Sequence, residues 1–257
     1  MESNQHQNEI IDQFTSQAVP FAELEAHSKD KTLEVFRDLG TLVGNERILD
    51  SGCGPGLVTC YLAPFAAEVI GLDLTPAMVE LGTRTARSRG IHNARFLLGD
   101  MLELPFPDDH FHITVSRYAL HHLENPEMAF EEMHRVTKPG GKIIVLDATP
   151  EDSKKTAYNK FERLRDPSHT KALTPLELSR LGGNQGLGTP EIITLGLEMN
   201  ATELVGSSFP RTVSRGHLLD LLTEDVDKDL LSFRSRFEEG KLTITFPLTA
   251  ACWCVPL

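Results

Sequence analysis

The chain has 257 residues and a mass of 28.5 kDa, with 40% hydrophobic and 24% charged residues and a mean hydropathy of −0.20. That length buries a core without help from disulfides or a metal, and no metal site is expected. Thirty-seven Asp and Glu against 25 Lys and Arg give a net charge of −12. This argues against a nucleic-acid partner or an anionic membrane surface, both of which need clustered cations, and favours small-molecule chemistry.

Residues 1–30 are polar with scattered apolar positions (Phe14, Val19, Phe21, Leu24), which predicts one or two short helices lying across the rest. Glu2 and Glu9 interrupt a segment without the apolar centre of a secretory signal, and no run approaches the roughly 18 apolar residues of a membrane span. A reduced, cytoplasmic protein is expected. The four cysteines, Cys53, Cys60, Cys252 and Cys254, are too few for a disulfide scaffold. Cys252-x-Cys254 has strand spacing and reads as a buried pair on one face rather than a metal clip.

Residues 31–43 carry Leu33, Phe36, Leu39 and Val43 at helical spacing, ended by Gly44-Asn45. A regular rhythm follows. Residues 47–50 read as a short buried strand, then a glycine-rich turn and a helix over 57–65. Residues 69–73 read as a second strand, and Pro76 opens a helix carrying Met78, Leu81 and Thr85. Residues 95–98 and 111–116 are the third and fourth strands. Asn125-Pro126 start a helix to about Val136, and Lys138-Pro139-Gly140-Gly141 turn into a fifth strand over 142–147. Apolar strands alternating with helices predict an α/β fold: a doubly wound, mostly parallel sheet with helices on both faces and a ligand crevice at the strands' C-terminal ends.

Beyond Asp147 the rhythm breaks. Residues 153–165 form an amphipathic pattern, 181–188 a glycine-rich loop, 192–197 a candidate sixth strand, 218–237 one or two helices, and 241–254 a final strand. No repeat or linker divides the chain. A single domain over 1–257 is expected: N-terminal covering helices over 1–45, a binding core over 46–150, a lid insertion over 151–188, and last strands with a helical insertion over 189–257.

The chemistry concentrates in Asp50-Ser51-Gly52-Cys53-Gly54-Pro55-Gly56, between the first strand and its helix. Glycines there allow a tight turn and close ligand approach, and the helix N–H groups face what binds. A plain structural turn is the default reading, and three features lift it. Asp50 would repel a pyrophosphate and attract a cation. The spacing is G-x-G-x-G, not the G-x-G-x-x-G of dinucleotide sites. Asp73 ends the second strand, 23 residues after Asp50, where a carboxylate can take both hydroxyls of a ribose. Asp100, in Gly99-Asp100-Met101, ends the third strand and is placed to meet an adenine amino group. Asp73 or Asp100 alone would serve equally as a cap. Three acids at successive strand ends describe a negatively lined crevice for a ligand with a ribose, a base and a positive charge.

With these residues the chain resembles the class I S-adenosylmethionine-dependent methyltransferases, in particular the methyltransferase type 11 group with the ubiquinone/menaquinone C-methyltransferases. The likeness runs from Arg47 to Asp147 through the D-x-G-x-G-x-G loop, "GLDLTPAMVELG", "GDMLELPFPDDHFHITVSRYALHHLENP" and "EMHRVTKPGGKIIVLD". It implies a Rossmann-like seven-stranded sheet, mostly parallel with an antiparallel last strand, and S-adenosylmethionine as cofactor. It implies that Asp50 and the backbone of Gly52, Gly54 and Gly56 hold the methionine part, and that Asp73 binds the ribose with Leu74 and Met78 against the adenine. Asp100 and the Met101 amide would read the adenine edge, the Ser116-Arg117 turn would close on the methionine amine, and the segment around Phe14 and Gln17 would cover the cofactor. The terminal signatures of quinone-methylating members and the cysteine arrangement of arsenite methyltransferases are not found.

The implied reaction is an in-line displacement onto an N, O, S or C atom of a small organic acceptor, with the protein supplying proximity and exclusion of water. His121 and His122 follow the fourth strand and stand as candidate base or substrate contact beside a structural reading. His169 is a weaker candidate, and Arg117 is expected to orient. Tyr158, Phe161 and Arg165 could wall a pocket, although such a helix more often packs on a core. The alternative from another class is a module that binds S-adenosylmethionine without transferring methyl. A nicotinamide oxidoreductase is disfavoured by the glycine spacing and by Asp50.

Overall fold

The computed structural model describes the backbone of residues 4–27 and 32–257 and the side chains of 5–16 and 32–257. The Gln17 side chain lies outside the described residues. A long helix, α1 (Asn4–His27), is followed by α2 (Thr32–Gly40), β1 (Arg47–Ser51), α3 (Leu57–Leu62), β2 (Glu68–Asp73), α4 (Pro76–Ser88), β3 (Ala94–Leu98), β4 (Phe111–Arg117), α5 (Pro126–Val136) and β5 (Thr137–Ala148). Then come α6 (Lys155–Arg165), α7 (Pro175–Ser179), β6 (Glu191–Asn200), α8 (Ala201–Gly206), α9 (Arg215–Glu224), β7 (Arg236–Glu238) and β8 (Lys241–Cys254).

Aliphatic runs make the central strands. Ile48, Leu49, Val69, Leu72, Val115 and the Ile143–Leu146 run are all buried, because helices cover both faces. The strand order is β3-β2-β1-β4-β5-β8-β6, with β7 beside β8. The first five strands are mutually parallel, and β8 runs antiparallel to β5, β6 and β7. Strand order reverses at β1 and β4, which opens a crevice at their C-terminal ends. Phe36, Leu62, Phe161 and Phe233 belong to one core cluster, and Phe130, Met133 and Trp253 to the other.

Four expectations need correction. The sheet has eight strands, not seven. β8 outlasts β5, whose ladder ends at Ala148 opposite Leu248, and β7 pairs with the remaining 241–243 stretch. Glu239 (φ 49°) and Gly240 (φ 76°) form the two-residue turn between them, the positive-φ geometry that suits a tight hairpin. The helical reading of 218–237 therefore fails in its second half. After α9, Oδ1 of Asp225 accepts from the N–H groups of Leu230 and Leu231 and folds the chain into a loop with four left-handed residues, Asp227, Asp229, Ser232 and Arg234. The early helix stops at Gly40, where Thr41 turns left-handed (φ 49°), so Val43 points into solvent. Of the Cys252/Cys254 pair, only Cys252 is buried, since Cys254 closes the strand at its exposed end.

No helix among the described residues is long and apolar enough to cross a membrane.

Candidate functional site

Register puts Asp50 opposite Gly71 on β2 and Val115 on β4, at the mouth of the crevice. The loop after β1 then crosses directly over β2. A Cβ on Gly71 would meet Thr59 Oγ1 at 2.7 Å and Cys53 Sγ at 2.9 Å, so only glycine fits under the crossing. Gly52, Gly54 and Gly56 all take positive φ (74°, 51° and 83°).

A cleft opens over these strand ends. Asp50, Gly52, Gly54, Asp73, Leu74, Met78, Asp100, Met101, Arg117 and His122 line it. Gly56 and His121 do not. Gly56 has turned into the N-cap of α3, with its α-carbon packed on the Phe96 ring. Phe14 and Ile10 of α1 line the cleft too, as do Tyr118, Ala119 and Leu123. Ile10, Tyr118, Ala119 and Leu123 are contacts the sequence reading lacked; of these only Ile10 left a signal, since its spacing of four to Phe14 puts both on one helical stripe.

The three acids are held differently. Asp50 accepts from the Thr59 N–H (3.0 Å) and Oγ1 (2.6 Å) on a single oxygen, Oδ2. Its Oδ1 is buried with no hydrogen-bond partner among the described residues. Burial raises this carboxyl to about 7, against the Thr59 bonds and the Arg117 charge. Asp73 accepts from the N–H groups of Gly54 (2.8 Å) and Thr75 (2.8 Å), tying the glycine loop to the end of β2. Burial outweighs those bonds and raises Asp73 as well. Asp100 accepts from the Leu102 N–H (2.9 Å) and, on its other oxygen, from Gln7 Nε2 of α1 (2.8 Å). Arg117 donates to Thr32 Oγ1 and lies 4.3 Å over the Tyr118 ring. Tyr118 itself is left-handed (φ 55°), an uncommon conformation for an aromatic residue at the edge of a cleft.

The histidines divide into wall and backing. His122 is on the cleft wall, in edge contact with Phe14 (4.8 Å), and its Nδ1 meets Ser168 O (3.2 Å) and Oγ (3.1 Å). Burial first, then the charge of His121, holds it down at about 3. His121 stands behind it with Nδ1 on Asp147 Oδ1 at 2.5 Å. Burial works against the His121 charge, but the Asp147 carboxylate outweighs it and raises the imidazole. His169 is buried, bonded to Asn159 Oδ1 (2.7 Å) and lowered by burial.

Tyr158, Phe161 and Arg165 do not line the cleft. Tyr158 and Phe161 are buried against Phe233 (4.9 and 5.2 Å), because α6 packs with its aromatic stripe inward. Arg165 pairs with Glu162, and the following loop is pinned when Thr170 and Lys171 donate to His121 O.

Similarity to known proteins converges on the same region. The family described as "Methyltransferase domain" matches residues 49–145. The uncharacterised methyltransferase YcgJ of Bacillus subtilis is 37% identical over 161 residues, 59% of this chain and 64% of its own. Demethylmenaquinone methyltransferase of Geobacillus stearothermophilus is 33% identical over 119 residues, 45% of this chain and 50% of its own. The matched stretch thus takes in between half and two thirds of those two relatives. The uncharacterised protein YafE of Escherichia coli K12 is 32% identical over 56% of this chain and 70% of its own. The crystal structure of YcgJ superposes with a TM-score of 0.79 at 26% identity, covering 88% of this chain and 98% of that one.

Proposed function

The chain belongs to the class I S-adenosylmethionine-dependent methyltransferases, and from that premise we propose that it moves a methyl group from S-adenosylmethionine onto an N, O, S or C atom of a small organic molecule in the cytoplasm. The observation that carries this reading is the unpartnered, buried Asp50 Oδ1 on the wall of a cleft rimmed by two more acids. A site of that kind fits a nucleoside bearing a cation and rejects a pyrophosphate.

In this reading Asp50 and the backbone of Gly52 and Gly54 hold the methionine part. Asp73 takes the ribose. Each of its oxygens accepts one N–H and keeps a lone pair for a hydroxyl donor. Leu74 and Met78 pack on the base, while Asp100 and the Met101 amide meet its edge. S-adenosylmethionine brings a methyl group already activated by positively charged sulfur. What remains for the chain is alignment and dryness. Ile10, Phe14 and Leu123 exclude water, and Arg117, fixed over Tyr118, orients the amino-acid end. His122 is assigned to substrate contact, since its Nδ1 is committed to Ser168. His121 sets the charge behind it.

Calorimetry with S-adenosylmethionine, S-adenosylhomocysteine and NAD tests the ligand. Tight binding of NAD alone overturns the reading. Labelled methyl transfer into a metabolite extract, read by mass spectrometry, then names the acceptor; binding without any labelled product would instead favour a module that binds and does not transfer.

A further inference from the structure

The setting of Asp50 bears on how the cleft takes its ligand. The carboxyl is 1% exposed, with Thr59 on one oxygen and, among the described residues, no hydrogen-bond donor on the other. The titratable and charged groups around it come from four elements. Asp73 faces it from the end of β2, Cys53 from the glycine loop, Cys60 from α3 and Arg117 from the end of β4. Both thiols are raised by burial and so stay neutral. Among the described residues the cation whose charge acts on it is Arg117, which is also engaged by Thr32 and the Tyr118 ring. His122, farther along the cleft, is neutral near pH 7. A buried carboxylate with an empty oxygen and an anionic neighbour is poorly stabilised, and a proton on that oxygen relieves it.

We propose, resting on the reading that the cleft binds S-adenosylmethionine, that Asp50 carries a proton in the free protein and releases it when the ligand's α-ammonium group arrives. The balance is one carboxylic acid and one ammonium giving a carboxylate–ammonium pair and one proton to solvent. No bond to carbon or sulfur changes. Because burial brings the carboxyl to about 7, both of its forms are populated near neutral pH. Affinity for nucleosides carrying the amino acid then falls about tenfold per pH unit below about 7. Acidification thus acts on ligand binding through a residue that touches the ligand's amino group rather than through the histidines.

The experiment is calorimetry of S-adenosylhomocysteine and of 5′-methylthioadenosine, which shares the ribose and base but lacks the amino acid. Each is titrated in buffers of different ionisation enthalpy, whose enthalpy differences count the protons exchanged. We expect S-adenosylhomocysteine to release roughly half a proton or more at pH 6.5 and almost none at pH 8.5, and 5′-methylthioadenosine to release none. Asp50→Asn keeps an oxygen for Thr59 and should bind 5′-methylthioadenosine while losing the proton release; the wild-type pair of ligands decides the matter alone if that variant does not fold. Proton-free binding of S-adenosylhomocysteine at pH 6.5 overturns the proposal. So does equal release with 5′-methylthioadenosine, which places the proton on another group such as Asp73. Failure of both nucleosides to bind overturns the cofactor reading instead.

Discussion

Asp147 and His121 meet at 2.5 Å across the ends of β5 and the loop after β4, and this contact sets the charge of a three-histidine cluster. The second Asp147 oxygen accepts from the His121 N–H (3.2 Å), so ring and backbone are fixed together. The His121 ring lies 4.1 Å from that of His122 and 5.3 Å from that of His169. Only one of three such close imidazoles holds a proton readily, and the carboxylate selects His121.

Asp147→Asn therefore lowers the His121 pKa below its ordinary value near 6.5 and lets that of His122 rise, as read by NMR titration of the imidazoles. A raised histidine contributes fully below about 6.5 and loses that contribution as pH rises through its folded value. Wild-type Tm should decline across that window, and the variant's should not. An unchanged His121 titration would show that Asp147 does not control it.

Tyr158→Phe should leave Tm unchanged or raise it. The Tyr158 hydroxyl is buried with no hydrogen-bond partner among the described residues, so removing it deletes an unsatisfied group and opens little space. The gain is up to about 1 kcal/mol. Binding of S-adenosylhomocysteine should not change, because the ring sits against Phe233 and away from the cleft. A Tm several degrees lower would mean the hydroxyl has a role this packing does not reveal.

Gly56→Ala should cost about 2 kcal/mol or more. Its φ of 83° is strained for any residue with a Cβ, and that Cβ would sit 2.3 Å from Phe96 Cε1. Adding Phe96→Ala relieves the contact but not the backbone, so the double variant should recover only part of the lost Tm. Full recovery would assign the whole effect to the ring.

Phe14→Ala removes one wall of the cleft and the edge contact with His122. The Kd for S-adenosylhomocysteine should rise about tenfold, equivalent to about 1.4 kcal/mol, while far-ultraviolet circular dichroism stays native. Unchanged affinity would place α1 outside the binding surface in solution.

What the sequence disclosed follows from range. β1, β2, β4 and β5 are legible because strands buried on both faces read as continuous aliphatic runs, with glycine and proline between them, and β3, half-buried at the sheet edge, is legible from its Phe96-Leu97-Leu98 run. Asp50, Asp73 and Asp100 are legible because each terminates such a run, and parallel pairing brings the ends together. Contacts between distant side chains leave no such trace. Gln7 reaches Asp100 across 93 positions, and Asp147 reaches His121 across 26 only because β4 and β5 pair. The 218–237 stretch carries helical spacing at Leu218 and Leu222, yet the Asp225 carboxylate overrides it by capturing two backbone N–H groups farther on.

The position of β8 bears on the order of assembly. Residues 241–254 lie between β5 and β6, so β6 has no strand partner until nearly the last residues of this sequence have been made. During synthesis the parallel half can form first, while β6 presents ten residues of unpaired edge. Closing the sheet then requires a late, long-range insertion, a step that should limit the folding rate and leave this edge exposed to association with other chains.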